Sequence, residues 1–201
     1  FHPPRLHNGP PQRQIGFIGA YSPKRERFLH QVSDLGLCLW GSEWDTTSTS
    51  EAIRKALCAP KGVFGLDLVR CYQSTGIVLN VQREHMMQPG PEGQRVGTGL
   101  GWRHFDVPAC GNLVLSEGVL ELSEAFAVGQ EVETFSTPEE LRDKTRYLLG
   151  HEDQRRSMAQ RAYARVLREG AEQRLAAEEL VPGDVMVLAA GDHISADSRL
   201  V

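Results

Sequence analysis

Several things are missing from this sequence of 201 residues. No apolar run approaches the roughly 20 residues that a membrane-spanning helix needs, so no helical span is expected in it. No signal peptide is legible. The chain starts at Phe1 and closes inside what reads as a strand, so it is expected to be a piece of a longer one. Basic charge is in short supply: 22 Lys and Arg against 26 Asp and Glu give a net charge of -4, which disfavours a general nucleic-acid binder. Any anion site must then come from a local cluster of basic residues. The four cysteines, Cys38, Cys58, Cys71 and Cys110, contain no Cys-x-x-Cys pair, which argues against a zinc ribbon. Three lie in or beside apolar segments, as expected of buried, reduced thiols in a cytoplasmic protein. Neither a Walker A loop nor G-x-G-x-x-G is present, no Ser/His/Asp or Cys/His set has a local signature, and no internal repeat is visible.

What is present can support a core: 40% of the residues are hydrophobic and 24% charged. Residues 1–14 hold four prolines and an Asn-Gly turn and read as a linker. "QIGFIG" then reads as a buried strand. In "YSPKRERFLHQVSDLG" a helix is expected with Ser22 as N-cap, Pro23 at its first position and Gly36 as its stop. "LCLWG" is a second strand, residues 46–50 a polar loop, and 52–57 and 66–73 two weaker helices. "GIVLNV" is a third strand. Residues 87–101 are rich in glycine and proline and read as an exposed, mobile loop of the kind that often carries function. A helix over 102–110, the strand "NLVLS", a short helix near 119–126 and the strand "EVETF" follow. Thr137-Pro138-Glu139-Glu140 is a capping box that opens a helix running to Gly150. A last helix, with Met158, Ala162, Val166 and Leu167 on one face, is expected to stop at Gly170.

Short apolar strands alternating with helices predict an α/β fold: a doubly wound, Rossmann-like parallel sheet covered on both faces. Ligands of such sheets lie beyond the carboxyl ends of the strands. That selects the turn at 19–24, the loop after Asn80 and the surroundings of Arg103. In "GAYSPKR" the chain enters a helix N-terminus, where backbone N–H groups and Lys24 and Arg25 can hold an anion; the alternative is an ordinary strand-to-helix connection. Arg103 and Asp106 stand one helical turn apart. They can be a phosphate-binding guanidinium beside a carboxylate for sugar hydroxyls, or a surface ion pair. His104-x-Asp106 invites a metal, but the two diverge on a helix and no further ligands have metal spacing, so none is expected. His85 can be a site residue or a plain loop histidine.

Residues 16–175 resemble CgeB-like proteins of the group-1 glycosyltransferases, matching the C-terminal half of the two-domain GT-B fold. The carriers are "GFIGAYSPKRERFL", "YQSTGIVLNVQRE", "GWRHFDVPACGNLVLS" and "EAFAVGQEVETFSTPEELRDKTRYLLGHEDQRRSMAQRAYARVLRE". The resemblance implies a domain at 15–175 that binds a nucleoside-diphosphate sugar and stabilises the leaving diphosphate without a metal, through basic side chains and a helix N-terminus. It implies donor-binding roles for Gly19, Ser22, Lys24, Arg25, Asn80, Arg103, Asp106 and Gly111. Arg103 and the Gly19 turn with Arg25 would face the diphosphate, Asp106 the ribose, and Asn80 and Gly111 the pocket wall. The catalytic group is not identified. Asp106 is one methylene shorter than the glutamate usual there, and Gly170-Ala171 replaces a histidine and threonine. The family's acceptor-binding N-terminal domain is expected to be missing, so this piece should bind donor and transfer sugar poorly to an acceptor whose nature is unknown.

Residues 176–201, "AEELVPGDVMVLAAGDHISADSRLV" from Ala177 onwards, resemble the opening strands of the actuator domain of P-type cation ATPases and read as a β-hairpin tail. Two unrelated families joined without a linker suggest a natural fusion, a chimera, or unrelated coding sequences run together. Other readings of the whole are an ATPase fragment and a non-catalytic module that binds sugar nucleotides or proteins.

Overall fold

The computed structural model describes residues 11–83, 87–89, 95–97 and 99–166. The tail at 176–201, His85, residues 1–10 of the expected linker and the helix stop at Gly170 lie outside the described residues. The first part of the chain holds β1 (Arg13–Ile18), α1 (Pro23–His30), a 3-10 turn (Ser33–Leu35), β2 (Leu37–Trp40), α2 (Trp44–Thr47), α3 (Glu51–Lys55), β3 (Leu57–Ala59), α4 (Gly65–Gln73) and β4 (Thr75–Asn80). Then come β5 (Met87–Pro89), β6 (Arg95–Gly97), α5 (Arg103–Ala109), β7 (Leu113–Glu117), α6 (Leu122–Ala125), β8 (Glu133–Phe135), α7 (Pro138–Gly150) and α8 (Glu152–Val166).

Six strands form one parallel sheet in the order β3-β2-β1-β4-β7-β8. Ile15 of β1 pairs with Leu37 on one side and Ile77 on the other. The chain therefore winds outwards from β1, crosses over through α4, and winds outwards again from β4. This is the expected doubly wound α/β sheet, and its switch point lies between β1 and β4.

Strand alternation feeds two cores. Ile15, Phe17, Leu39, Ile77, Leu79, Leu113 and Leu115 face Phe28 and Leu29 of α1, Leu141 of α7 and Met158 of α8. Ile18, Trp40, Val78 and Val114 face Tyr72 of α4, Val107 of α5 and Leu122 of α6. Both faces are covered, which is why the central stretches of β1, β2, β4 and β7 are apolar on both sides.

Several boundaries differ from expectation. β1 starts at Arg13, inside the expected linker. α1 ends at His30, because the chain tightens into the 3-10 turn before Gly36 stops it with a φ of 80°. The expected polar loop contributes Thr46 and Thr47 to α2, and β3 occupies the end of a segment expected to be helical. Within residues 87–101, β5 and β6 pair antiparallel. The cysteines also depart from expectation: Cys38 and Cys58 are disulfide-bonded, with Cα atoms 5.9 Å apart. Their strands β2 and β3 are neighbours, which brings the thiols within bonding reach. Cys71 and Cys110 are free, and Cys110 is buried. Among the described residues no helix is long and apolar enough to cross a membrane.

Candidate functional site

In an open sheet of this order the crevice opens outside the carboxyl ends of β1 and β4. Gly19 follows β1 directly. Its N–H donates to the Trp40 carbonyl at 2.8 Å, and its carbonyl accepts from Trp44 Nε1 at 2.7 Å. Gly41 touches the same peptide: a Cβ there would stand 2.0 Å from the Gly19 oxygen, so only glycine fits. A Cβ on Gly19 would meet Arg103 Nη2 at 3.1 Å and the Phe17 ring at 3.1 Å. The missing side chain is what lets the guanidinium approach the turn.

The turn ends in α1 as its local chemistry dictates. Ser22 accepts from the Arg25 N–H at 3.3 Å, and Pro23 takes the first helical position. Glu26 clips this turn to the next connection, accepting from Ser48 Oγ at 2.5 Å, the Ser50 N–H at 3.0 Å and Tyr21 at 2.9 Å. Burial pushes the Glu26 carboxyl up, but these hydrogen bonds together hold it below its usual range.

Arg103 reaches over the switch point from α5. Nε donates to the Ile18 carbonyl at the end of β1 at 3.1 Å, Nη2 donates to the same oxygen, and Nη1 donates to Asn80 Oδ1 at the end of β4 at 3.3 Å. Its guanidinium lies 5.7 Å from the Phe17 ring centroid, and that of Arg25 lies 5.3 Å from the same ring. Burial pushes the Arg103 pKa down, while Tyr72 and Asp106 pull it the other way. Asp106, one turn along α5, is raised by burial and lowered by Arg103.

Lys24 and Arg25 are engaged with the protein. Lys24 forms a buried ion pair with Glu117 of β7 at 2.6 Å. Glu117 Oε2 also accepts the Gln82 N–H at 2.9 Å. Arg25 donates to the carbonyls of Ala20 at 2.9 Å and Val81 at 3.0 Å, tying the loops after β1 and β4 together. Gly111 is not brought to the crevice. It ends α5 with a φ of 75°, just before β7 begins, at the amino edge of the sheet. There Asn112 Nδ2 donates to the Tyr72 carbonyl at 2.6 Å and to that of Thr75.

Beneath Arg103 lies a buried polar cluster. His104 Nε2 is 2.9 Å from Ser116 Oγ and 3.0 Å from Asn80 Nδ2, and Nδ1 is held by the Gly101 backbone. Burial drives the imidazole down to about 4; the Gly101 hydrogen bond opposes this and the Arg103 charge adds to it, so the ring is neutral at pH 7. Ser116, Glu117 and Gln82 were absent from the sequence-based site, although two of them end an apolar strand, where such folds place ligand groups. No group of three or more His, Cys, Asp or Glu able to hold a metal exists among the described residues.

Fold and crevice together define the class: a Rossmann-like, doubly wound α/β domain with an arginine over its switch point. A family model described as glycosyl transferase-like matches residues 24–179, more than half of the chain, and the chain belongs to that family. The C-terminal domain of a group 1 glycosyl transferase from Francisella tularensis superposes with a TM-score of 0.57 at 14% identity, covering 82% of this chain and 89% of that one. The Anabaena protein HepE, crystallised with UDP-glucose, superposes with a TM-score of 0.56 at 12% identity, covering 79% of this chain and 44% of its own. At such identities the likeness is one of fold. A model of the P-type ATPase actuator domain matches residues 158–201. A probable cation-transporting ATPase from Mycobacterium tuberculosis is 59% identical over 39 residues, which span 19% of this chain and 4% of the ATPase.

Proposed function

We propose that residues 15–175 form the donor-binding half of a CgeB-like glycosyltransferase and take a nucleoside-diphosphate sugar. One observation carries this reading. Arg103 sits at the switch point with its hydrogen bonds on neutral acceptors, so its charge is poorly compensated where an anion would bind. The binding of UDP-glucose by HepE, which has this fold, supports it.

In this reading Arg103 and the Gly19–Ser22 turn receive the diphosphate, and Asp106 receives a ribose hydroxyl. Asn80 aims the guanidinium. Lys24 and Arg25 act mainly by fixing α1 and the loop after β4, and Gly111 by ending α5. As the sugar C1–O bond breaks, its electron pair passes to the diphosphate, whose growing charge Arg103 and the helix N-terminus stabilise. No metal is required by this scheme. The oxygen of an acceptor hydroxyl forms the new bond to C1 while its proton passes to the departing diphosphate, and a second domain facing the crevice is needed to bind that acceptor. A cytoplasmic location and the absence of a nucleic-acid partner belong to the same proposal.

Calorimetric titration with UDP, GDP and ADP tests it. The folded chain is expected to bind at least one, and Arg103→Ala to weaken that binding about tenfold or more. A folded chain that binds none overturns the reading. A second reading, a P-type ATPase fragment, is favoured only by the match at 158–201. Membrane helices encoded directly after Val201 support it, and a stop codon there removes it.

A further inference from the structure

Resting on the donor-site reading, a further assignment concerns His104, which is 0% exposed. Its ring meets three other parts of the fold. Nδ1 lies 3.0 Å from the Gly101 nitrogen and 3.1 Å from the Gly101 oxygen, at the exit of the glycine-rich connection. Nε2 faces Ser116 of β7 and Asn80 of β4. Ser116 Oγ donates its proton to the Glu117 carbonyl at 2.8 Å, so towards its neighbours it is an acceptor. Asn80 must then turn Nδ2 to Ser116, at 3.1 Å, which leaves Oδ1 for Arg103. The amide orientation is thereby decided by the cluster beneath it.

We propose that His104 is a positioning residue, which sets the direction of the Arg103 guanidinium through Ser116 and Asn80. A histidine that merely fills the core would leave Arg103 indifferent to the polarity of position 104. Two substitutions separate the roles. In His104→Gln the terminal amide reaches the place of Nε2 and can restore the donor to Ser116 Oγ. In His104→Asn the shorter amide reaches only the place of Nδ1 and restores the Gly101 contact. His104→Leu removes both.

UDP or another nucleoside diphosphate that the parent chain binds is titrated into each folded variant. His104→Leu and His104→Asn are expected to lose about tenfold or more in affinity, and His104→Gln to stay within about threefold of the parent. In parallel, the Arg103 Nε–H signal is followed by NMR without nucleotide. It should exchange slowly in the parent and in His104→Gln, and rapidly in the other two. Parent-like affinity and parent-like Arg103 signals in His104→Leu and His104→Asn overturn the proposal. If the parent chain binds no nucleotide, the donor-site reading fails, and the Arg103 signal alone decides the positioning role.

Discussion

Arg103 and His104 are neighbours in sequence with opposite tasks: one keeps a charge at the mouth of the crevice, the other is kept from acquiring one. That difference has a measurable consequence. The imidazole titrates near 6.5 in an unfolded chain and near about 4 in the fold, so the unfolded state binds the extra proton first. Its contribution to stability is complete above pH 6.5, shrinks as pH falls towards about 4, and does not change further below that. The total is roughly 3 kcal/mol. Denaturant titrations of the parent and of His104→Gln between pH 7 and 4 should show a steeper loss in the parent; parallel curves contradict the assignment of a neutral, buried imidazole. Gly41 makes a second test at this scale. Gly41→Ala must push apart two backbones that meet at the Gly19 carbonyl, and about 3 kcal/mol of destabilisation is expected. An unchanged unfolding midpoint contradicts the close approach.

Among the elements, β2 and β3 are joined both by their ladder and by the bond between Cys38 and Cys58, 20 residues apart. A loop of that length is stabilised by about 3 kcal/mol in the chain-entropy picture. Adding a reductant should lower the denaturation midpoint accordingly, and protein kept without reductant and then denatured should show two titratable thiols rather than four. Four thiols contradict the bond, and are also what a reducing cytosol would favour. The sequence could not show this pairing, because it depends on which strands are neighbours. The same limit explains other differences. The start of α1 was legible, since Ser22 and Pro23 act on their own turn. The capping of α7 was legible too: Thr137 accepts from the Glu140 N–H at 3.1 Å. β3 was not, because three residues at a sheet edge carry no periodicity. Lys24 and Arg25 read as ligands because their partners, Glu117 and the Val81 carbonyl, lie far along the chain. Gly111 fell on the far edge because a helix and a strand separate the two ends of its motif.

At the scale of the whole molecule, the strand order is what gives the crevice its meaning. β1 and β4 are neighbours in the sheet; Arg25 ties together the loops that follow them, while Glu26 and the Gly19–Gly41 contact fix the turn after β1 to the connection after β2. The parallel order was expected from the alternation of apolar strands and helices. The placement of Arg103 above β1 was carried by the family resemblance rather than by the spacing of Arg103 and Asp106, which also suited a surface ion pair. The chain spans 44% of HepE and 4% of the mycobacterial ATPase, so a complete sugar-transfer or transport activity is a property to be tested on longer proteins. What this domain can be asked directly is where a nucleotide binds. Backbone amide spectra recorded during titration with UDP give that answer. The largest shifts are expected at Gly19–Ser22, Asn80–Gln82 and Arg103–Asp106, with Gly111 and Asn112 undisturbed; shifts gathered at the amino edge of the sheet, or none that saturate, would contradict a donor cradle at the switch point.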